Sequence, residues 1–248
     1  DPTNSKAAAE YADALFTNNQ RTKAREIAEK ILAKNPKELL AAIVMARFAI
    51  LAEKNDEALK ILELAFDKKS PHLKTLILVA QLKIKDEKFG EAVDLLELGH
   101  KTFPLNDTIK RALVVVYVRL DENEKLIPLL ADLARYHFDD AAIRRKLAQL
   151  AMQTKNYPAV VKYGREVLHI DVLDTGIHRL LGKAYRELKK HAKSVEEFKV
   201  ALQLDPKDIT TQLDLAKSYL ANDDKINAKK LLEAVLETDP DNTEAKML

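Results

Sequence analysis

Three arginines, Arg111, Arg145 and Arg179, recur at intervals of 34 residues. The guanidinium is the side chain best suited to grip a carboxylate or phosphate through two parallel hydrogen bonds. Sheltered from water, each charge-assisted bond contributes about 1.5–3 kcal/mol; on a solvated face the same charge adds almost nothing to stability. The other reactive groups are scattered. His72, His100, His137, His169, His178 and His191 fall at six different points of the 34-residue interval, and no two stand four apart, so they lack the spacing of a helical metal site. The neighbouring carboxylates Glu196 and Glu197 read as solvated charge. There is no nucleophile elbow, zinc-protease motif, Walker loop or dinucleotide fingerprint, and none of the five glycines builds a phosphate cradle. The chain is expected to be non-enzymatic, with no metal and no cofactor.

The interval that spaces the arginines also orders the whole chain. It divides residues 5–242 into seven units without insertion: 5–38, 39–72, 73–106, 107–140, 141–174, 175–208 and 209–242. The eighth position is small in six of seven (Ala12, Ala46, Ala80, Val114, Ala148, Gly182, Ala216), as a close approach of two helices requires. The twentieth is Ala24, Ala58, Ala92, Leu126, Val160, Ser194 and Ala228. Pro36, Pro104, Pro206 and Pro240 close four units, Pro71 stands one place late in the second, and units four and five have none. Proline cannot continue a helix, so these mark helix ends.

The unit 175–208 contains Leu181-Gly182, Tyr185, Ser194, Phe198, Ala201 and Asp205-Pro206. These residues resemble the tetratricopeptide repeat (TPR) signature, with Leu-Gly and Tyr on a first helix, a small residue and an aromatic on a second, and a closing Pro. The resemblance covers essentially the whole chain. It implies an all-α fold, a right-handed α-solenoid of seven tandem helix-turn-helix units with fourteen antiparallel helices and no sheet. Residues 1–4 then read as the exit turn of a preceding repeat and 243–248 as the start of a following helix, so the chain is expected to be a fragment of a longer solenoid. The departures are the absence of Trp, His178 and Gln212 where the family often has an aromatic, and Gly99 and Gly164 inside second helices. In unit four Asn123 is the expected N-cap, which puts Pro128 beyond the first turn and predicts a kink or a late start of that helix.

Composition adds limits. The chain has 248 residues, 47% hydrophobic and 32% charged, with no apolar run near the ~18 residues of a membrane span. The N-terminus shows no signal peptide. With no cysteine there is neither a disulfide nor a thiolate metal site. These features describe a soluble segment and leave cytoplasm and periplasm both open.

In the family that this chain resembles, first helices line a concave groove where ligands lie. Helical periodicity puts positions 2, 5, 9, 12 and 13 on the first-helix face turned away from the second helix. That face holds eleven basic residues (Lys6, Arg47, Lys74, Lys85, Arg111, Arg119, Arg145, Arg179, Lys183, Arg186, Lys217) and two acidic ones (Asp13, Glu187), a balance of +9 against +2 for the chain. Phe16, Ile50, Ile84, Val118, Met152 and Leu220 share position 12, and Ile43, Leu51 and Ile77 add to them. The expected site is therefore a basic groove with an apolar half in units one to three and a cationic half in units four to six. It comprises Arg47, Ile50, Ile77, Ile84, Arg111, Val118, Arg119, Arg145, Met152, Arg179, Lys183 and Arg186. The clamp with which chaperone-binding family members hold a terminal carboxylate is not matched, because Ala9 and Asp13 stand where Lys and Asn would. The expected partner is a protein or peptide, acidic or acidic and apolar. Nucleic acid is disfavoured because Phe16 is the only aromatic on the face for base stacking, and self-association through open solenoid ends is the structural alternative.

Overall fold

The computed structural model describes residues 5–248, so the reading of residues 1–4 as an exit turn lies outside it. Among the described residues all regular structure is helical: α1 (Ser5–Thr17), α2 (Arg21–Lys34), α3 (Leu39–Leu51), α4 (Asn55–Ala65), α5 (Leu73–Lys85), α6 (Phe89–Thr102), α7 (Asp107–Arg119), α8 (Asn123–Tyr136), α9 (Ala141–Gln153), α10 (Tyr157–Leu168), α11 (Thr175–Glu187), α12 (His191–Leu204), α13 (Ile209–Ala221), α14 (Lys225–Thr238) and the short α15 (Thr243–Met247). This is an α-solenoid of tandem helix pairs. Odd-numbered helices from α1 to α13 and even-numbered ones each start 34 residues apart.

Local rules fix both ends of each first helix. At the start of α3, α7, α9, α11, α13 and α15 the residue just before the helix caps it: the side chains of Glu38, Asn106, Asp140, Asp174, Asp208 and Asn242 accept from backbone N–H groups of the first turn that otherwise have no partner, whereas His72 before α5 makes no such bond. At the other end, Asn19, Glu53, Glu87, Asp121, Lys155, Lys189 and Asp223 adopt φ of 56–60°. The N–H of the next residue then reaches back to the carbonyl five residues earlier, as in Lys54 to Ala49 at 2.9 Å and Lys190 to Tyr185 at 2.8 Å. This is the Schellman ending, made here without glycine.

Packing within a pair rests on the small residues. Ala12, Ala46, Ala80, Ala148, Gly182 and Ala216 are fully buried or nearly so, as are Ala24, Ala58, Ala92, Val160, Ser194 and Ala228 opposite them. Gly182 shows why: a Cβ there would meet the Phe198 ring at 2.7 Å, and the Ser194 hydroxyl donates to the Gly182 carbonyl across the same contact at 2.7 Å. His178, at a site where an aromatic was expected, is buried and bridges Glu197 (2.7 Å) and the Val172 carbonyl (3.0 Å).

Two compact units result, the first ending at Leu126 and the second running Ile127–Leu248. The division falls inside α8. That helix corrects one expectation: it begins at Asn123, in step with the other second helices, and runs without interruption past Pro128 to Tyr136. Asn123 is therefore its first helical residue and not its cap. The carbonyl of Glu122 accepts the first bonds, from Lys125 and Leu126, and the Asn123 amide turns back to Asp121 at 2.8 Å.

Candidate interaction surface

The first-helix face is built by helices held in the 34-residue register, and its side chains differ from a bare cationic surface. In the second compact unit the Nε and Nη2 of Arg145 both face the Asp174 carboxylate, the Nε at 2.7 Å. Arg179 Nη1 lies 2.8 Å from Asp208. Both acids are N-caps, so each carboxylate caps one first helix and neutralises an arginine of the first helix before it. Asp214, only 8% exposed in its side chain, receives Lys183 at 3.3 Å and Arg186 at 3.1 Å, and its carbonyl takes a second bond from Arg186 at 3.1 Å. Lys217 pairs with Glu244.

In the first unit one carboxylate serves two cations: Arg47 and Lys74 both reach Asp13 at 2.9 Å. Arg47 also lies over the Phe16 ring, 3.9 Å from its centroid, a cation–π contact that adds to the ion pair. Lys83, buried between α4 and α6, is held by Glu63 at 2.9 Å and Glu91 at 2.7 Å. Burial disfavours its charge, but the two carboxylates outweigh it and push the ammonium above its ordinary range.

Seven of the eleven face cations are thus held by carboxylates, and Arg111 is not without a partner. Lys6, Lys85 and Arg119 are exposed. The expectation of a cationic half in units four to six is corrected on this point, because Arg145, Arg179, Lys183 and Arg186 are already paired. In the second unit the counterions Asp174, Asp208 and Asp214 were present in the sequence, but at the capping position and at the sixth position of the next unit, outside the face that periodicity defines.

The apolar part of the face divides by burial. Ile50, Ile77, Ile84 and Met152 are half-buried and Val118 is 42% exposed, whereas Ile43 and Phe16 are core residues. Ile43, expected among the apolar residues of the face, packs instead with Ala46, Leu62 and Val79; Phe16 packs edge-on to Phe48 with ring centroids 4.8 Å apart. No helix is long and apolar enough to cross a membrane, and no three metal-ligating side chains converge, among the described residues.

Fold and surface together define an all-helical tandem-repeat protein. The tetratricopeptide repeat family model matches residues 185–248, and solved TPR proteins share the fold. The C-terminal part of a TPR repeat-containing protein from Cytophaga hutchinsonii superposes with a TM-score of 0.60 at 17% identity, covering 96% of this chain and 98% of its own. MamA AMB-1 aligns over 67% of this chain and 98% of its own, with a TM-score of 0.57 and 18% identity. A structure of Naa15/Naa10 bound to HypK-THB matches 99% of this chain with 38% of its own, with a TM-score of 0.72 and 16% identity. No curated protein matches the sequence. The chain therefore has the TPR fold, and its C-terminal quarter carries the recognisable repeat sequence.

Proposed function

We propose that this chain is a non-enzymatic scaffold that binds a protein segment on the first-helix face of each compact unit. In the first unit the contact surface is Arg47, Ile50, Ile77, Ile84, Arg111, Val118 and Arg119; in the second it is Arg145, Met152, Arg179, Lys183 and Arg186. The observation that carries this reading is the juxtaposition of half-exposed apolar side chains with arginines whose orientation is already fixed by ion pairs. Side chains locked before binding lose little entropy on contact. A paired guanidinium still has N–H groups to offer, since Arg145 uses Nε and Nη2 on Asp174 and leaves Nη1. The partner segment thus supplies apolar side chains and hydrogen-bond acceptors, and its carboxylates, where present, act as acceptors beside neutralised pairs. The TPR relative solved with bound protein, Naa15/Naa10 with HypK-THB, supports a protein partner.

Binding on this face should depend weakly on salt, because little unpaired charge is neutralised. Pull-down with the immobilised chain tests the reading. Val118→Glu, at an exposed site, should abolish capture of the partner retained by the unsubstituted chain, while circular dichroism stays unchanged. Equal capture by both chains, or a steep loss of capture with added salt, contradicts it.

A further inference from the structure

We propose a second docking surface, on the second-helix side of the second compact unit, for a protein segment that carries carboxylates beside a bulky apolar side chain. The first pointer is a departure from the repeat. Position 32 holds the closing proline in units one, three, six and seven, but Phe138 and Val172 in units four and five. Neither serves the core: Phe138 is 76% and Val172 65% exposed. An aromatic ring left in water where the repeat tolerates proline has no folding role and is an exposed apolar group of the kind found at contacts.

These two turns flank a groove of about 470 Å³ between α8 and α10, lined by Phe138, Tyr163 and Ile170 on its apolar side and by Arg135 and Lys162 on its polar side. The volume lies in the ~300–1,000 Å³ range of ligand sites. Its floor is rigid. Arg144, almost fully buried, donates to the carbonyls of Ala134 (2.9 Å), His137 (2.7 Å) and Asp140 (3.2 Å) and pairs with Glu166 at 3.2 Å. Its donors point inward and are spent. The rim differs: neither Arg135 nor Lys162 has a carboxylate partner among the described residues, and Lys162 is held 4.9 Å above the Tyr163 ring. Three cations and one carboxylate line the groove. Two cations without a carboxylate partner among the described residues thus stand at the rim beside exposed apolar surface, and the complementary occupant is an acidic segment with an aromatic or large aliphatic anchor. The repeat-equivalent groove between α4 and α6 sets three carboxylates, Glu63, Glu91 and Asp94, against Lys68 and Lys83, and Lys83 is already held by two of them.

The test is fluorescence anisotropy with a labelled peptide in which a Phe-Leu pair is flanked by Glu on both sides. Arg135→Glu with Lys162→Glu should weaken binding about tenfold or more, and Phe138→Ala should do so by a similar factor. Phe138→Pro, which restores the residue of units one, three, six and seven, should also remove binding with unchanged circular dichroism. Val118→Glu, which tests the first-helix face, should leave this peptide's affinity unchanged, so the two readings fail separately. The proposal is overturned if the peptide does not bind, if replacing its Glu residues by Gln leaves affinity intact, if the groove variants bind as the original does, or if a single-stranded RNA of equal charge binds there in preference.

Discussion

The two sides of the second compact unit handle positive charge in opposite ways. On the first-helix side Arg145, Arg179, Lys183 and Arg186 all end on carboxylates supplied by the next helix or its cap. On the second-helix side Arg135 and Lys162 stand over a groove with an inward-facing ion pair as its floor, and neither has a carboxylate partner among the described residues. A count of charges along one helix face would rank the first side as the cationic one. Contacts reverse the ranking, because a charge is available to a ligand only to the extent that the fold has not already neutralised it. The difference predicts that the first group of cations contributes to stability and the second hardly at all.

Removing charge from the groove floor should have the largest effect. Arg144→Met takes a donor from three carbonyls, the buried one of Ala134 among them, and from Glu166, and urea denaturation should register a loss of about 3 kcal/mol. A loss below 1 kcal/mol would mean that the carbonyls find other donors. Next comes the shared acid of the first-helix side: Asp214→Ala strands Lys183 and Arg186, which are only partly exposed, and should destabilise by about 2 kcal/mol.

Asp208 gives a smaller effect with a pH signature. Burial opposes its charge, but the hydroxyl of Thr211, the Arg179 guanidinium and the N–H groups of Thr210 and Thr211 outweigh that and hold its carboxyl below the ordinary range. A lowered folded pKa stabilises the fold above the unfolded value of about 3.9 and loses that contribution as pH falls through the folded value. Asp208→Asn, which can still cap the helix, should therefore lower stability by about 1 kcal/mol at neutral pH, with the gap closing as acid titrations pass below about pH 4. A gap that widens in acid contradicts the ion pair. Arg135→Glu and Lys162→Glu mark the bottom of the scale: each should change stability by no more than about 0.5 kcal/mol, although both are predicted to disrupt peptide binding.

Much of this was legible in the sequence, and the failures have one physical origin. The 34-residue spacing of the sequence recurs in the starts of the first and second helices, because small residues at positions 8 and 20 and the turn between them are local requirements. What periodicity along one helix cannot show is the neighbour. Arg145–Asp174 and Arg179–Asp208 share a 29-residue spacing, which brings position 5 of one first helix to the cap of the next. That spacing was a readable signal, but only once capping acids are treated as counterions as well as caps. Asn123 misled for a related reason: Asn is a strong capping residue, yet in α8 the Schellman ending of α7 fixes where the next helix begins, and Glu122 falls at that place. The missing prolines of units four and five read as a weakened repeat. Phe138 and Val172 give them a different meaning, since only exposure separates an irregular turn from a surface feature.

The central claim is that Arg145, Arg179 and Arg186 on the first-helix side are held by carboxylates while Arg135 has no such partner among the described residues, and hydrogen exchange of arginine side-chain Nε–H groups measured by NMR tests it most directly. The account predicts slow exchange at Arg145 and Arg144, whose Nε donate to Asp174 at 2.7 Å and Glu166 at 3.2 Å, and fast exchange at Arg135. Exchange at Arg145 as fast as at Arg135 would contradict it.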